Sequence, residues 1–213
     1  MSERTQSSIP FVGLHAHSGT GSPFDGLGYP GEHMDFAYQN GNDALALTDH
    51  GNMNGFAYQV QHAQKMMKEG KDFKPIFGVE AYFLPSIEEW REELERVKED
   101  KKAKKSIDKS ASGTTIENEE NKREVKNILN RRRHLILLAQ NQKGLNNIFS
   151  LVSKSYREEN FYRFPRIDYA MLKEHNEGVI AASACLGGVY AGNFWENREE
   201  GEEAVLNAMR ETT

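Results

Sequence analysis

The sequence predicts an α/β fold built on a parallel sheet, and three observations carry that expectation. Apolar runs of strand length alternate with segments of helical periodicity from Phe11 to Arg210. Several of these runs are continuously apolar, as strands covered on both faces are. His17, His50, Glu80 and Cys185 all fall at or near the ends of such runs. Repeated units of this kind fit a barrel or a doubly wound sheet, and in parallel barrels the working groups gather at strand C-termini.

The elements follow in order. Phe11–Ser18 is the expected first strand, followed by a glycine-rich loop, Gly19–Gly28. Pro30–Asn40 reads as a helix with proline near its start and Gly41 as its stop. Asp43–Asp49 is a second strand, and Gly55–Glu69 a helix carried by Phe56, Val60, Ala63 and Met67 and ended by Gly70. Lys74–Leu84 is a third strand, stopped by Pro85. The alternating aromatics Phe73, Phe77, Tyr82 and Phe83 are expected to serve packing.

Between Ile87 and Arg133 the character changes. Glu88–Lys105 is charged at nearly every position, with acid–base pairs at helical spacing such as Glu92 and Arg96. Ser106–Thr115 has the composition of a flexible link, and Ile116–Leu129 resumes as a helix. Residues 87–133 are therefore expected as an inserted, solvent-projecting charged arm. Lys101–Lys105 and Arg131–Arg133 offer nucleic-acid or partner contacts, against the plainer reading of a solvated face.

Structure returns at His134–Ala139, a short apolar strand, and Leu145–Tyr156, a helix with Leu145, Ile148, Val152 and Tyr156 on one stripe. Phe161–Ile167 is expected to be irregular around Pro165, and Tyr169–His175 to be a short helix. Val179–Cys185 is another buried strand, closed by Gly187-Gly188, and Arg198–Arg210 a last helix.

Bulk properties narrow the function classes. The 213 residues carry a net charge of -5, which argues against bulk electrostatic binding to duplex nucleic acid. The charge is uneven. Glu88–Arg133 holds 14 of the 27 Lys/Arg and 12 of the 32 Asp/Glu, leaving 13 against 20 elsewhere. No apolar stretch approaches the ~20 residues of a membrane span. Met1–Pro10 lacks an apolar signal core, and a single cysteine excludes an internal disulfide, so a reducing cytoplasm is expected.

Chemistry concentrates in two strings, Gly13-Leu14-His15-Ala16-His17 and Leu47-Thr48-Asp49-His50-Gly51. A strand points residues two apart to one face, so His15 and His17 are a natural half of a metal site, against the plainer reading that the pair arose by chance and serves packing. Glu80 lies inside an apolar strand, where an unpaired carboxylate is costly. Cys185 has the plainer alternative of a small buried side chain. With Asp25, Asp49 and His134, these residues make a mixed imidazole, carboxylate and thiolate set suited to zinc or manganese. Two or three such ions about 3.5–4 Å apart can clamp a phosphoester and activate water. His33, His62 and His175 sit in helical segments and read as ordinary surface or core histidines.

The ordered motifs FVGLHAHS, FDG, ALALTDHGNMNG, KPIFGVEAYFLP, HLILLAQNQKGLNNIFSLVSKSY, FPRID and EGVIAASACLGG resemble the N-terminal polymerase-and-histidinol-phosphatase (PHP) domain of bacterial and phage DNA polymerase III alpha subunits. The similarity covers nearly everything but the arm. It implies a distorted (β/α)7 barrel, residues 1–213, truncated before its last strands and carrying the 87–133 insertion. It also implies a cluster of two or three divalent ions, zinc or manganese with magnesium as a further option. His15, His17, Asp25, His50, Glu80, His134 and Cys185 match the ligands, with Asp49 supporting them from outside the coordination set. His15, His17, His50 and Glu80 would be central to catalysis. The activity implied is metal-dependent 3′–5′ exonuclease within a DNA-replicating polymerase, with single-stranded DNA 3′ ends and other replisome subunits as partners and no membrane contact. A bracing, non-catalytic domain and a small-molecule phosphatase of the histidinol-phosphatase type are the alternatives. Three departures stand out. His17 and Asp25 are eight residues apart where the family has seven, His134 precedes its strand, and the family's last Asp-x-His pair does not occur before Thr213.

Overall fold

The structure is a computed structural model that describes Thr5, residues 11–107, Arg123 and residues 126–210. The elements are α1 (Pro30–Gln39), β1 (Ala44–Leu47), α2 (Phe56–Lys68), β2 (Lys74–Phe83), α3 (Ile87–Ile107), α4 (126–130) and β3 (Arg133–Ala139). They continue with α5 (Gln142–Ser155), β4 (Phe161–Tyr162), β5 (Phe164–Ile167), α6 (Tyr169–Glu174), β6 (Val179–Ala182), α7 (Val189–Asn197), a 3₁₀ turn at Arg198–Glu200, and α8 (Glu202–Arg210). Local chemistry sets the helix starts. Pro30 occupies the first turn of α1, where its missing N–H is harmless. The Asn141 side chain caps α5 through Gly144 N at 3.0 Å, and Asp168 caps α6 through Met171 N at 2.9 Å.

The strands form one mixed α/β sheet in the order β4-β5-β2-β3-β6, with β1 pairing β2 as well. β1 runs parallel to β2 from Ala44↔Lys74 to Leu47↔Phe77. β3 runs antiparallel to β2, with Glu80 opposite Ile136 and Tyr82 opposite His134. β6 is antiparallel to β3, and β5 parallel to β2. Among the described residues the sheet is mixed and open, so the α/β class holds while the expected distorted (β/α)7 parallel barrel, truncated before its last strands, is not what these strands build. The reversal at β3 has a topological consequence. Strands β1, β2 and β6 finish at the end where β3 begins.

The core lies on both faces. Val79, Ala81, Phe83 and Leu137 pack against Ile148 and Leu151 of α5, and Ala46, Ile136 and Leu138 form a smaller cluster. Met34, Ala37 and Met66 seat α1 and α2 beside Leu45 and Leu47 of β1.

Several expectations are corrected. Phe11–Ser18 is extended beside β1, bonded through Gly13 O to Ala46 N and Ala16 O to Thr48 N, but pairs only at the bridge Gly13↔Leu45. Phe161–Ile167 is a β4–β5 hairpin turning on Arg163 at φ 59, a pairing masked in sequence by Pro165. Val179–Ala182 is a half-exposed edge rather than a buried strand. The last helical region starts at Val189 and breaks at Gly201, φ 101, before α8. The arm is not solvated all round, because Ile87, Trp90, Leu94 and Val97 of α3 bury a stripe against Leu84 and Ile128. Charge at the intervening positions hides that stripe. The expected link at Ser106–Thr115 ends α3 at 106–107 and otherwise lies outside the described residues, as does most of Ile116–Leu129.

Candidate metal centre

Glu80 is the hub of the site. Its side chain has no exposure, and its backbone is fixed by Glu80 N to Asp49 O at 3.0 Å and Gly51 N to Glu80 O at 2.8 Å. Oε2 accepts from His17 Nε2 at 2.8 Å and lies 3.8 Å from His15 Nε2. Oε1 lies 2.9 Å from His134 Nδ1 and 3.6 Å from Cys185 Sγ. His50 Nδ1 lies 2.9 Å from Oε2 but off the hydrogen-bonding direction, which leaves a buried ring nitrogen without a hydrogen bond. Five side chains from four segments thus converge on one carboxylate.

Asp25 closes the outer side, with Oδ2 2.8 Å from His50 Nε2 and 3.1 Å from His17 Nδ1. The extra residue in the Gly19–Gly28 loop does not keep it away. Three groups bring one donor atom each within 4.8 Å of one another: His15–His17–Glu80, His17–Asp25–His50 and His50–Glu80–His134. Cys185 Sγ stands 3.3 Å from His134 Nδ1, and Gly187 N points to it at 3.4 Å. Cys185 is exposed, not the small buried side chain of the plainer reading, and follows Ala184 at φ 60.

Asp49 points elsewhere. Its carboxylate accepts from Ser18 N (2.7 Å), Ser18 Oγ (2.8 Å) and Ser22 Oγ (3.0 Å), so it organises the loop that carries Asp25. A Cβ on Gly21 would stand 2.4 Å from its Oδ2, which is why the loop needs glycine there. His15 is oriented from behind by Thr48, with Nδ1 2.7 Å from Oγ1, so that Nε2 faces Glu80. His134 lay outside simple strand-end reasoning because β3 enters the sheet in the opposite direction; its first residues stand beside the last residues of β2.

The electrostatics match this geometry. Burial alone would raise the Glu80 carboxyl, but His134, His17 and His50 outweigh it and hold the group far below the usual carboxylate range. Burial opposes Asp25 in the same way, and His50 with His17 pulls it down. His17 is raised chiefly by its hydrogen bond to Glu80, and His50 chiefly by the Glu80 carboxylate 2.9 Å from its ring, both against desolvation. Burial pushes His15 down. Four imidazoles around one dry carboxylate, one with an idle nitrogen, form a donor set that fits divalent cations.

Sequence reasoning placed neither of two neighbours at the centre, Tyr82 and Arg132, although it named Arg132 within a basic contact run. Tyr82, assigned to packing, stacks on His50 with 3° between planes and also meets the His134 ring at 5.4 Å. Two-residue periodicity from Glu80 could have found it, since it shares that face. Arg132 lies over Tyr82 and Phe164. His62, read as an ordinary surface or core histidine, lies 3.1 Å from Asp35 between α1 and α2.

The sequence pattern of the PHP domain matches residues 13–212. DNA polymerase III subunit alpha of Aquifex aeolicus is 36% identical over 183 residues, 85% of this chain and 13% of that protein. The same subunit of Borreliella burgdorferi is 34% identical over 199 residues, 92% of this chain and 14% of its own length. Among solved structures, a two-domain Bacteroides vulgatus protein containing a predicted PHP-like metal-dependent phosphoesterase overlaps 38% of this chain and 27% of its own. That overlap has 24% identity and a TM-score of 0.30.

Proposed function

Because this chain belongs to the PHP domain family, we propose that it is a divalent-metal centre for phosphoester hydrolysis in a replicative DNA polymerase III alpha subunit. The chain spans about 13% of the Aquifex relative it matches, so polymerase activity, DNA and replisome partners are proposed for the whole protein. The reading rests above all on the convergence of His17, His50, His134 and Cys185 on the fully buried Glu80. His15, His17, Asp25, His50, Glu80, His134 and Cys185 would hold two or three ions, zinc or manganese.

Bound ions would supply Lewis acidity toward a phosphoester and lower the pKa of water. The chain's own residues do the rest. Glu80 keeps the imidazoles turned inward, Thr48 orients His15, and Asp49 ties the loop so that Asp25 reaches His17 and His50. The reaction proposed is hydrolysis of the terminal phosphodiester at a single-stranded DNA 3′ end.

Elemental analysis of the protein, followed by metal-dependent release of nucleotides from a 3′-labelled oligonucleotide, tests this. Bound zinc or manganese is expected, lost in the His15→Ala/His17→Ala double variant. Undiminished metal in that variant would overturn the site. A metal-loaded full-length protein that releases no nucleotide yet unfolds on chelation would assign the ions to stability instead. Hydrolysis of small phosphomonoesters but not of DNA would favour the small-molecule phosphatase.

A further inference from the structure

Arg131, Arg132 and Arg133 are consecutive, yet only two of them have carboxylate partners. Arg131 pairs with Glu93 at 2.5 Å, and Arg133 pairs with Glu196. Arg132 has no carboxylate partner among the described residues. Its guanidinium carbon lies 3.8 Å from the centre of the Phe164 ring and 5.3 Å from that of Tyr82. One N–H is used on Asn130 O at 3.0 Å, and Nε is buried with no hydrogen bond. Tyr82 in turn stacks on His50, with ring centres 5.9 Å apart. Phe164 and Tyr82 themselves meet edge to face at 5.1 Å, so the unneutralised guanidinium lies against an aromatic cluster that continues through Tyr82 and His50 to the metal centre.

An arginine laid on an aromatic face is pre-organised, because stacking restrains its donor fork without consuming the donors. That arrangement is suited to two oxygens of one phosphate group. We propose that Arg132 is the phosphate-binding residue of this site, receiving non-bridging oxygens of the substrate next to the phosphoester that the metal centre engages. The proposal rests on the metal-centre reading and adds a named recognition residue to it. A nucleic-acid backbone and a small phosphomonoester share this chemistry, and the test separates them.

The probes are a hydrolysis-resistant phosphorothioate oligothymidylate and thymidine 5′-monophosphate, titrated into the manganese-loaded full-length protein. Wild type is compared with R132M, which keeps an unbranched side chain without the charge, and R132K, which keeps charge without the fork. Each variant is first checked for unchanged metal content and unfolding midpoint. R132M is expected to bind the oligomer roughly tenfold more weakly, with the slope of log K against log salt reduced by about 0.7. R132K is expected to keep the wild-type slope with reduced affinity. An effect confined to the monophosphate would identify a small phosphomonoester as the source. Equal affinity and slope in R132M, or no binding of either probe by metal-loaded wild type, would overturn the proposal while leaving the metal centre intact. A wild type that takes up no metal would instead refute the reading beneath it.

Discussion

Asp49 and Ser18 are joined twice, by Ser18 N at 2.7 Å and Ser18 Oγ at 2.8 Å, both inside the protein. An acidic residue adjacent to a candidate ligand is thereby occupied with holding backbone. Asp49→Ala would leave those donors buried and unpaired, at a cost of about 3 kcal/mol. The loss should be equal in metal-free and chelator-untreated protein, measured by urea unfolding. A loss seen only with metal bound would show that Asp49 is a ligand after all.

Glu80→Gln removes the charge while keeping the shape. His17 and His50 should then lose the main cause of their raised pKa values, visible as downfield shifts vanishing at lower pH in imidazole NMR titrations. Metal content should fall with it, because the shared carboxylate is gone. Persistence of both would mean that the imidazoles are organised by something else.

The shifts also fix a pH dependence for the metal-free protein. Glu80 and Asp25 are lowered, so their contribution is present above the unfolded carboxylate range and is lost as pH falls through the folded values. His17 and His50 are raised, so theirs is complete below the unfolded histidine value of 6.5 and is lost as pH rises through the folded values. His15, lowered by burial, acts in the opposite direction and favours neutral pH over acid. The urea midpoint with chelator should therefore be greatest in the mildly acidic range between those limits. Metal competes with the protons on His17 and His50, so apparent metal affinity should climb as pH rises through the same region. A midpoint that climbs steadily into alkaline pH without metal would contradict the histidine assignments.

Arg166 is fully buried and donates to the carbonyls of Arg131, Tyr162, Phe164 and Leu129, with Trp90 beneath its guanidinium at 4.5 Å. Burial lowers it to about 10, which leaves it charged at neutral pH. It joins the base of the arm to the β4–β5 hairpin. Arg166→Met should cost about 3 kcal/mol through orphaned carbonyls, read as a lower denaturant midpoint. A midpoint within experimental error of wild type would show that water replaces the guanidinium there.

Much of this was legible in the chain. His-x-His, Asp-His and an acid within a strand pointed to side chains that the structure brings together, because strand alternation fixes which side chains share a face. The helices α1, α2, α5 and α6 fell within a few residues of their expected limits, since proline, glycine and Asx signals mark their ends. Less visible was the direction of β3. Local sequence carries side-chain periodicity but not the sense of pairing, so the expected parallel barrel and the apparent misplacement of His134 had one cause. Trp90 and Val97 show a second limit, because a narrow buried stripe is diluted by dense charge. Tyr82 shows a third: an aromatic beside ligands looks the same in sequence as one in a core.

The antiparallel pairing of β2 with β3 makes residues 84–132 a hairpin connection rather than a crossover. A crossover must bridge the length of the sheet, whereas a hairpin returns to its starting point whatever it contains. Glu80 and His134 can therefore stay in contact while the part of the excursion beyond the buried stripe of α3 and before Ile128 shrinks, grows or is replaced. The stretch of chain between α3 and α4 is therefore the natural splice point for a reporter or a foreign module in this protein.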